Sequence, residues 1–333
     1  MSKNPAWLRR FSKLTCFSTL FLIFAGSMVT STGSGLAVPD WPLSYGMVFP
    51  PMVGGVFYEH GHRMIAATVG LFTLILAVWL AFSEKRRWVK LLGFAALGAV
   101  IAQGVLGGIT VLLMLPPAVS VSHAVLSQTF FILTIILAYS LSKERSFREE
   151  NKDSTNSLGL VKFGIAVMLF VYVQLLLGAL MRHTASGLAI PDFPTAGGRL
   201  IPIFNESVLN TINQWRFRMN LEPVNIGQIL IHFAHRVNAI FVTMAIVVLD
   251  YKAFKLKIPD KKISLSLFTL NVLLFAQLAL GAFTVWSAKQ PIIASLHVVT
   301  GAAILGVSTL FTLRVCPLSI KLFRSSSYVS SLS

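Results

Sequence analysis

Eight runs of about 20 predominantly apolar residues restrict the fold of this chain more than any other feature. They lie near residues 13–31, 62–82, 91–113, 118–141, 159–182, 230–249, 264–286 and 292–314. As a helix, each run is long enough to cross a bilayer core of about 30 Å. Because 55% of the 333 residues are hydrophobic and only 12% are charged, a soluble globular domain is excluded. The sequence therefore predicts an all-α polytopic membrane protein with eight transmembrane helices.

The net charge of +16 is concentrated on one side of the predicted membrane. Of the 28 Lys and Arg residues, 21 lie near the two termini or in the connections after the second, fourth and sixth runs. The positive-inside rule places these segments in the cytoplasm, so the long loops 32–61 and 183–229 face the extracytoplasmic side of a plasma or inner cell membrane. Anionic lipid is the expected partner of this charge, and no nucleic acid is expected.

The two halves of the chain repeat each other. Residues 32–42 (TGSGLAVPDWP) recur as 184–194 (TASGLAIPDFP), and residues 102–111 (AQGVLGGITV) recur as 276–285 (AQLALGAFTV). We therefore expect two four-helix repeats, 1–157 and 158–333. Because each repeat would begin in the cytoplasm, they are expected to be parallel repeats, related by an axis near the membrane normal.

The repeated loops carry residues that favour turns. Gly35 and Gly187 allow a positive φ, and Asp40 and Asp192 can accept hydrogen bonds from a turn. Within the second loop, residues 206–220 have apolar side chains at roughly helical spacing. This spacing is consistent either with a short interfacial helix or with an irregular lid.

Four of the seven histidines occupy repeat-matched positions, His62 with His235 and His123 with His297. Each is expected within about the first two turns of a helix that runs inward, so the four lie at similar depth. Two imidazoles from neighbouring helices can bind the iron of one haem from opposite faces. A zinc site fits less well, because each half offers only two histidines and no duplicated cysteine or carboxylate. For any one histidine alone, a packed or interfacial side chain is the alternative.

Charged residues beside the histidines distinguish the two halves. Arg63 and Arg236 each follow a histidine, where they would bind either haem propionates or lipid headgroups. Three residues before the first histidine of each repeat, the first half has Glu59 and the second has His232. Glu59 can either transfer protons beside a bound group or pair structurally with Arg63.

The ordered set of duplicated GLAxPD loops, Glu59-x-x-His62-Arg63, His123, His235-Arg236 and His297 resembles the haem A synthase family over residues 14–315. The resemblance implies an oxidoreductase that oxidises the C8 methyl of haem O to the formyl group of haem A, for use by haem–copper terminal oxidases. It also implies that His62 and His123 bind the substrate haem, that His235 and His297 bind a haem b cofactor that relays electrons, and that Glu59 is catalytic.

One difference from many bacterial members of that family affects the first loop. Where those members have a cysteine pair, this chain has Val38 and Ser44, so a loop disulfide or thiol step is excluded. The electron donor, the oligomeric state and the terminal oxidase remain open, as do contacts with a haem O synthase. The alternative functions are a bis-histidine two-haem electron-transfer cytochrome and a haem carrier.

Overall fold

The computed structural model describes residues 5–150, 158–201, 204–257 and 260–316. These residues form ten α-helices and no β-strand. In chain order they are α1 (Ala6–Ser31), α2 (Gly55–Ser83), α3 (Arg87–Leu112), α4 (Pro117–Ser140), α5 (Lys143–Glu150), α6 (Leu158–His183), α7 (Glu206–Arg218), α8 (Ile226–Lys255), α9 (Lys261–Trp286) and α10 (Pro291–Val315).

Eight of these helices, all except α5 and α7, are long and apolar enough to cross a membrane. They coincide with the eight predicted runs, which confirms the all-α polytopic membrane class. Residues 206–220 are helical over Glu206–Arg218, and Asn205 caps this helix through a hydrogen bond from the Val208 N–H. Its position at a membrane interface stays a prediction, as does the assignment of loops and termini to either side.

Two helices begin earlier than their apolar runs. α2 begins at Gly55, and α8 begins at Ile226, where Asn225 and Gln228 form a reciprocal capping box. The polar first turns of these helices therefore lie outside the apolar runs from which the boundaries were predicted. As a consequence, His62 and His235 lie in the third turns of their helices rather than within the first two.

The helices form two apolar clusters and a contact region between them. One cluster joins residues of α1 to α4 and the other joins residues of α6 and α8 to α10. Between them, α1 and α4 pack against α10, with Ile23, Phe131, Ile135 and Ala302 at the contact. This distribution is compatible with repeats at 1–157 and 158–333, and the parallel-repeat arrangement itself stays a prediction.

A network of ion pairs links the connecting helix α5 to α9 and α10. Glu144 contacts Arg314 (Nε–Oε1 2.9 Å), Lys262 (Nζ–Oε2 3.3 Å) and Arg148 (Nε–Oε1 3.6 Å). Arg148 also pairs with Asp260, whose other oxygen caps α9. Burial alone would raise the pKa of Glu144, but Arg314 and Lys262 lower it below its ordinary value. Glu144 is therefore ionised at neutral pH and links α5 to α9 and α10.

Replacing Glu144 by glutamine is expected to lower the stability of the protein by about 1–3 kcal/mol at neutral pH, because three cations lose one partly buried carboxylate. Since the folded-state pKa is depressed, this contribution is complete above the ordinary pKa of 4.5 and is lost as the pH falls through the folded-state value. Thermal unfolding in detergent between pH 4 and 7 measures both effects.

Glu149→Gln is the matched control, because Glu149 pairs with Arg145 within α5. It should change the melting temperature less than Glu144→Gln does. Equal shifts for the two variants would show that the contacts of Glu144 with α9 and α10 add nothing.

Candidate functional site

The four repeat-matched histidines are carried by α2, α4, α8 and α10. His235 and His297 face each other, with ring centroids 6.3 Å apart and an angle of 63° between the ring planes. His62 and His123 lie close enough for their charges to interact. In all four rings Nδ1 is buried and has no hydrogen-bond partner among the described residues. The structure thus brings together one histidine pair in each half, and the two pairs correspond through the repeat, because His62 matches His235 and His123 matches His297.

Each of these rings lies against a glycine of a neighbouring helix. An ideal Cβ would lie 2.8 Å from His62 Cε1 if added at Gly26, 3.3 Å from His123 Cε1 at Gly107, 3.3 Å from His235 Cε1 at Gly178 and 3.1 Å from His297 Cε1 at Gly281. Contacts below 3.4 Å leave almost no room for a side chain. The glycines therefore admit the imidazoles between the helices of each half.

Sequence reasoning did not assign these glycines a role, although a signal was present. Gly107 and Gly281 lie at the same place in the repeated stretches 102–111 and 276–285, while Gly26 and Gly178 are related by the 152-residue offset of the loops. Which ring each glycine would contact depends on helix packing, so only the structure supplies the pairing.

The repeated loops each contain a cis prolyl bond, Trp41–Pro42 or Phe193–Pro194, and the turn that follows is built in the same way in the two halves. Asp40 accepts hydrogen bonds from the N–H groups of Tyr45 (2.7 Å) and Gly46 (2.8 Å), which lower the pKa of its carboxyl. Asp192 accepts the equivalent bonds from Gly197 and Gly198, both at 3.0 Å. Burial opposes ionisation of Asp192, but these bonds and one from Thr195 lower its pKa. The predicted acceptor role of both aspartates is confirmed.

The expected positive φ at the loop glycines was misplaced. Gly35 and Gly187 do not have positive φ, whereas Tyr45 (54°) and Gly46 (71°) do, as do Gly197 (65°) and Gly198 (79°). Two consecutive residues with positive φ give the reversal needed by a tight two-residue turn. Positive φ therefore occurs at the turn held by the aspartate, several residues after the GLAxPD motif, and also at Gly33 and Ala185, just before that motif.

Arg63 and Arg236 hold these loops by their backbone carbonyls. Arg63 donates to the carbonyl oxygens of Asp40 (2.7 Å), Leu43 (2.7 Å) and Val38 (3.2 Å). Arg236 donates to the matching carbonyls of Asp192 (2.8 Å), Thr195 (2.8 Å) and Ile190 (3.2 Å). Both guanidinium groups thus have protein partners, and their role toward propionates stays a prediction.

Glu59 and His232 occupy equivalent buried positions with different chemistry. Glu59 Oε2 accepts from the Val38 N–H (2.8 Å), and Oε1 pairs with Arg63 (2.6 Å). In His232, Nδ1 lies 3.2 Å from the backbone nitrogen of Ile190 and Nε2 lies 3.2 Å from Arg236 Nε, and a neutral imidazole can accept only one of these two hydrogen bonds. The two halves therefore place the same kinds of donor around this position, but only the first half has a carboxylate there, which accepts from both donors.

The two residues at the cysteine positions also contact this cluster. Val38 is fully buried and bonds to Glu59, and Ser44 Oγ lies 2.8 Å from His60 Nδ1. Hydrogen bonds thus attach the first loop to α2 without a disulfide. From sequence, His60, whose repeat counterpart is Phe233, is expected to be a loop residue, with iron ligation as a weaker option; it lies instead in the second turn of α2, because that helix begins at Gly55.

Arg63→Gln is expected to release the first loop, because a neutral amide cannot make these charge-assisted bonds to several carbonyls. We expect backbone amides of residues 38–47 to exchange hydrogen at least about tenfold faster, measured by hydrogen–deuterium exchange with mass spectrometry. Arg218→Gln, at an exposed residue of α7, is the control and should leave this exchange unchanged. Unchanged exchange in Arg63→Gln would show that the loop is held by other contacts.

Comparison with known proteins agrees with this geometry. Residues 54–309 match the family model COX15-CtaA, described as cytochrome oxidase assembly protein. Proteins named haem A synthase from Alkalihalophilus pseudofirmus and Halalkalibacterium halodurans are 30% and 31% identical over 202 and 210 residues. These alignments cover 59% and 60% of this chain and 66% and 68% of the relatives.

A third such protein, from Bacillus pumilus, is 32% identical over 208 residues, which are 60% of this chain and 67% of the relative. The chain thus aligns with about two thirds of the length of these relatives. The family match includes all four paired histidines as well as Glu59, Arg63 and Arg236. The chain therefore belongs to the COX15-CtaA family of cytochrome oxidase assembly proteins, which confirms its predicted place among the haem A synthases.

Proposed function

We propose that this protein is a haem A synthase, an oxidoreductase that converts the C8 methyl of haem O to the formyl group of haem A in two successive oxidations. The observation that carries the proposal is a histidine pair repeated in the two halves, with each Nδ1 buried, and a carboxylate, Glu59, in only one half. The relatives named haem A synthase support the same reaction. A two-haem electron-transfer cytochrome has no need of the difference between Glu59 and His232.

The histidine pairs fit a metal that brings most of its own ligands. Among the described residues, no group of three or more His, Cys, Asp or Glu side chains could hold a metal ion. The ring centres of His235 and His297 lie 6.3 Å apart. This separation leaves room for one metal atom between the rings, bound to a nitrogen of each ring at about 2 Å. An iron porphyrin supplies four ligands in addition to the two histidines, and its apolar macrocycle can pack against the apolar side chains of the helices.

We assign the two halves different groups. His62 and His123 would hold the substrate haem O, and His235 and His297 would hold a haem b cofactor. When bound, haem b would relay electrons from a donor that is not yet identified. The long tail of haem O would remain in the lipid, and contacts with a haem O synthase, a terminal oxidase or a second copy of the chain are open.

Glu59 is placed to handle protons in the substrate half. Its carboxylate is buried and held by Arg63 and the Val38 N–H, so its position is defined before a substrate binds. It lies almost one helical turn from His62, on the same helix. Val38 and the loop held by Arg63 shield this carboxylate from bulk water, which strengthens its electrostatic effect.

Glu59→Gln is expected to stop the reaction at haem O or at a hydroxylated intermediate, with at least about a hundredfold less haem A, because glutamine cannot accept a proton. Extracted haems separated by chromatography measure the products. His232→Gln, at the equivalent position of the other half, is the matched control for the loop contacts. Normal haem A production by Glu59→Gln would remove Glu59 from the mechanism.

Gly26→Ala is expected to reduce retention of the substrate haem, because the added methyl would lie 2.8 Å from His62 and displace the ring. The cost of such overpacking is about 1–3 kcal/mol. Haem O plus haem A per protein after purification is the measurement. Gly104→Ala is the control, since a Cβ there meets nothing within 4 Å, and equal haem contents would contradict the assigned contact.

The proposed function is tested directly by extracting haems from the purified protein after co-expression with a haem O synthase. Haem B together with haem O, haem A or the alcohol intermediate is the expected result and would establish two different sites. Haem B alone would overturn the proposal in favour of an electron-transfer cytochrome.

A further inference from the structure

Each of the four glycines that contact a histidine ring is preceded, one helical turn earlier, by a position that holds the same residue type on three helices and a different one on the fourth. Three of these positions hold an amide, Gln103, Gln174 and Gln277, and the fourth holds Leu22. Gln103 and Gln277 are repeat-matched at an offset of 174, and Leu22 is matched to Gln174 at an offset of 152. The helix that faces His62 is therefore the one without an amide at this place.

Two of the three amides tie a histidine-bearing turn to the neighbouring helix, and the third lies beside such a turn. Gln103 Nε2 donates to the carbonyl oxygen of His123 (2.9 Å), and Gln174 Nε2 donates to that of His235 (3.0 Å). Gln174 Nε2 also lies 3.1 Å from His235 Nε2, so this amide is next to the ring as well as bonded to the backbone of the turn. Gln277 lies beside α10 one turn after His297, where its Nε2 would be 3.1 Å from a Cβ on Gly301.

A second difference reinforces the first. Asn238 donates to Gln174 Oε1 (2.7 Å) and to the carbonyl of Phe170 (3.1 Å), so α6 and α8 share a buried polar network beside His235. The repeat counterpart of Asn238 is Ile65. Leu22 and Ile65 both pack against the apolar cluster of the first half. Because neither side chain can hydrogen-bond, α1 offers the His62 turn no such restraint.

We propose that His62 is the exchangeable iron ligand of the substrate site, and that the pair Leu22 and Ile65 makes it so. This inference rests on the proposed function, in which the iron between His62 and His123 needs an open position to react with dioxygen. The cofactor site has no such need, and there Gln174 and Asn238 hold His235. Leu22 and Ile65 are thus positioning residues, which act through His62 rather than on the substrate.

Carbon monoxide measures ligand exchange without requiring turnover, because it binds only ferrous haem that has lost an axial ligand. In the full-length protein co-expressed with a haem O synthase and reduced with dithionite, we expect carbon monoxide to bind about one of two haems. A buried amide hydrogen bond changes such an equilibrium by roughly two- to tenfold. The double variant Leu22→Gln/Ile65→Asn should therefore slow carbon monoxide binding at least about fivefold.

The reciprocal variant Gln174→Leu/Asn238→Ile should make the second haem reactive toward carbon monoxide. It also carries the test if the first double variant does not fold. Leu22→Met/Ile65→Val is the packing control, because it changes side-chain shape without adding a hydrogen bond, and it should bind carbon monoxide at the wild-type rate.

The outcomes separate this inference from the proposed function. The inference would be overturned, and the function left standing, if the protein holds two haems but neither double variant changes carbon monoxide binding. Faster binding in Leu22→Gln/Ile65→Asn would have the same meaning. Haem B as the sole extracted haem of the wild-type protein would instead overturn the function, and the inference with it.

Discussion

The placement of four imidazole rings between apolar helices, with each Nδ1 buried, is the constraint on which the rest of this structure depends. Each ring has a polar nitrogen, and an unsatisfied buried polar group costs about 1–3 kcal/mol. In the described residues all four Nδ1 atoms lack a partner, so the bundle holds these rings at a cost to its own stability. Such a cost is typical of sites that bind a ligand.

Glycine provides the room for these rings, and glutamine holds the turns that carry them. A glycine beside each ring lets two helices approach with an imidazole between them, as at Gly178 and His235. One turn earlier, an amide such as Gln174 satisfies a backbone carbonyl and fixes the turn that carries the histidine. A glycine and an amide at this helical spacing accompany three of the four rings, and at His123 and His235 the amide bonds the carbonyl of the histidine. Beside the fourth ring, His62, the amide is replaced by the apolar side chain of Leu22, so the two halves differ in how their histidine-bearing turns are held.

The loops close the same end of the bundle by a single repeated device. Arg63 and Arg236 gather the carbonyl groups of a turn whose amides are bound by Asp40 or Asp192. Because these N–H and C=O groups of the loop have hydrogen-bond partners, the loop backbone can lie against the helices without a disulfide. Within this shared frame, the second half has His232 where the first has Glu59, so the same kinds of donor surround an imidazole in one half and a carboxylate in the other. In the proposed function, this difference separates the substrate site from the cofactor site.

The sequence by itself determined the eight membrane helices, the paired histidines and the acceptor role of the loop aspartates, because apolar length, repetition and turn chemistry are local properties. Helix starts such as Gly55 were missed, since polar first turns lie outside the apolar runs. Only the tertiary structure decided which glycine faces which ring, that Arg63 and Arg236 bind loop carbonyls, and that Leu22 replaces an amide beside His62. These contacts join residues far apart in the chain, and their geometry follows from helix packing rather than from any local pattern.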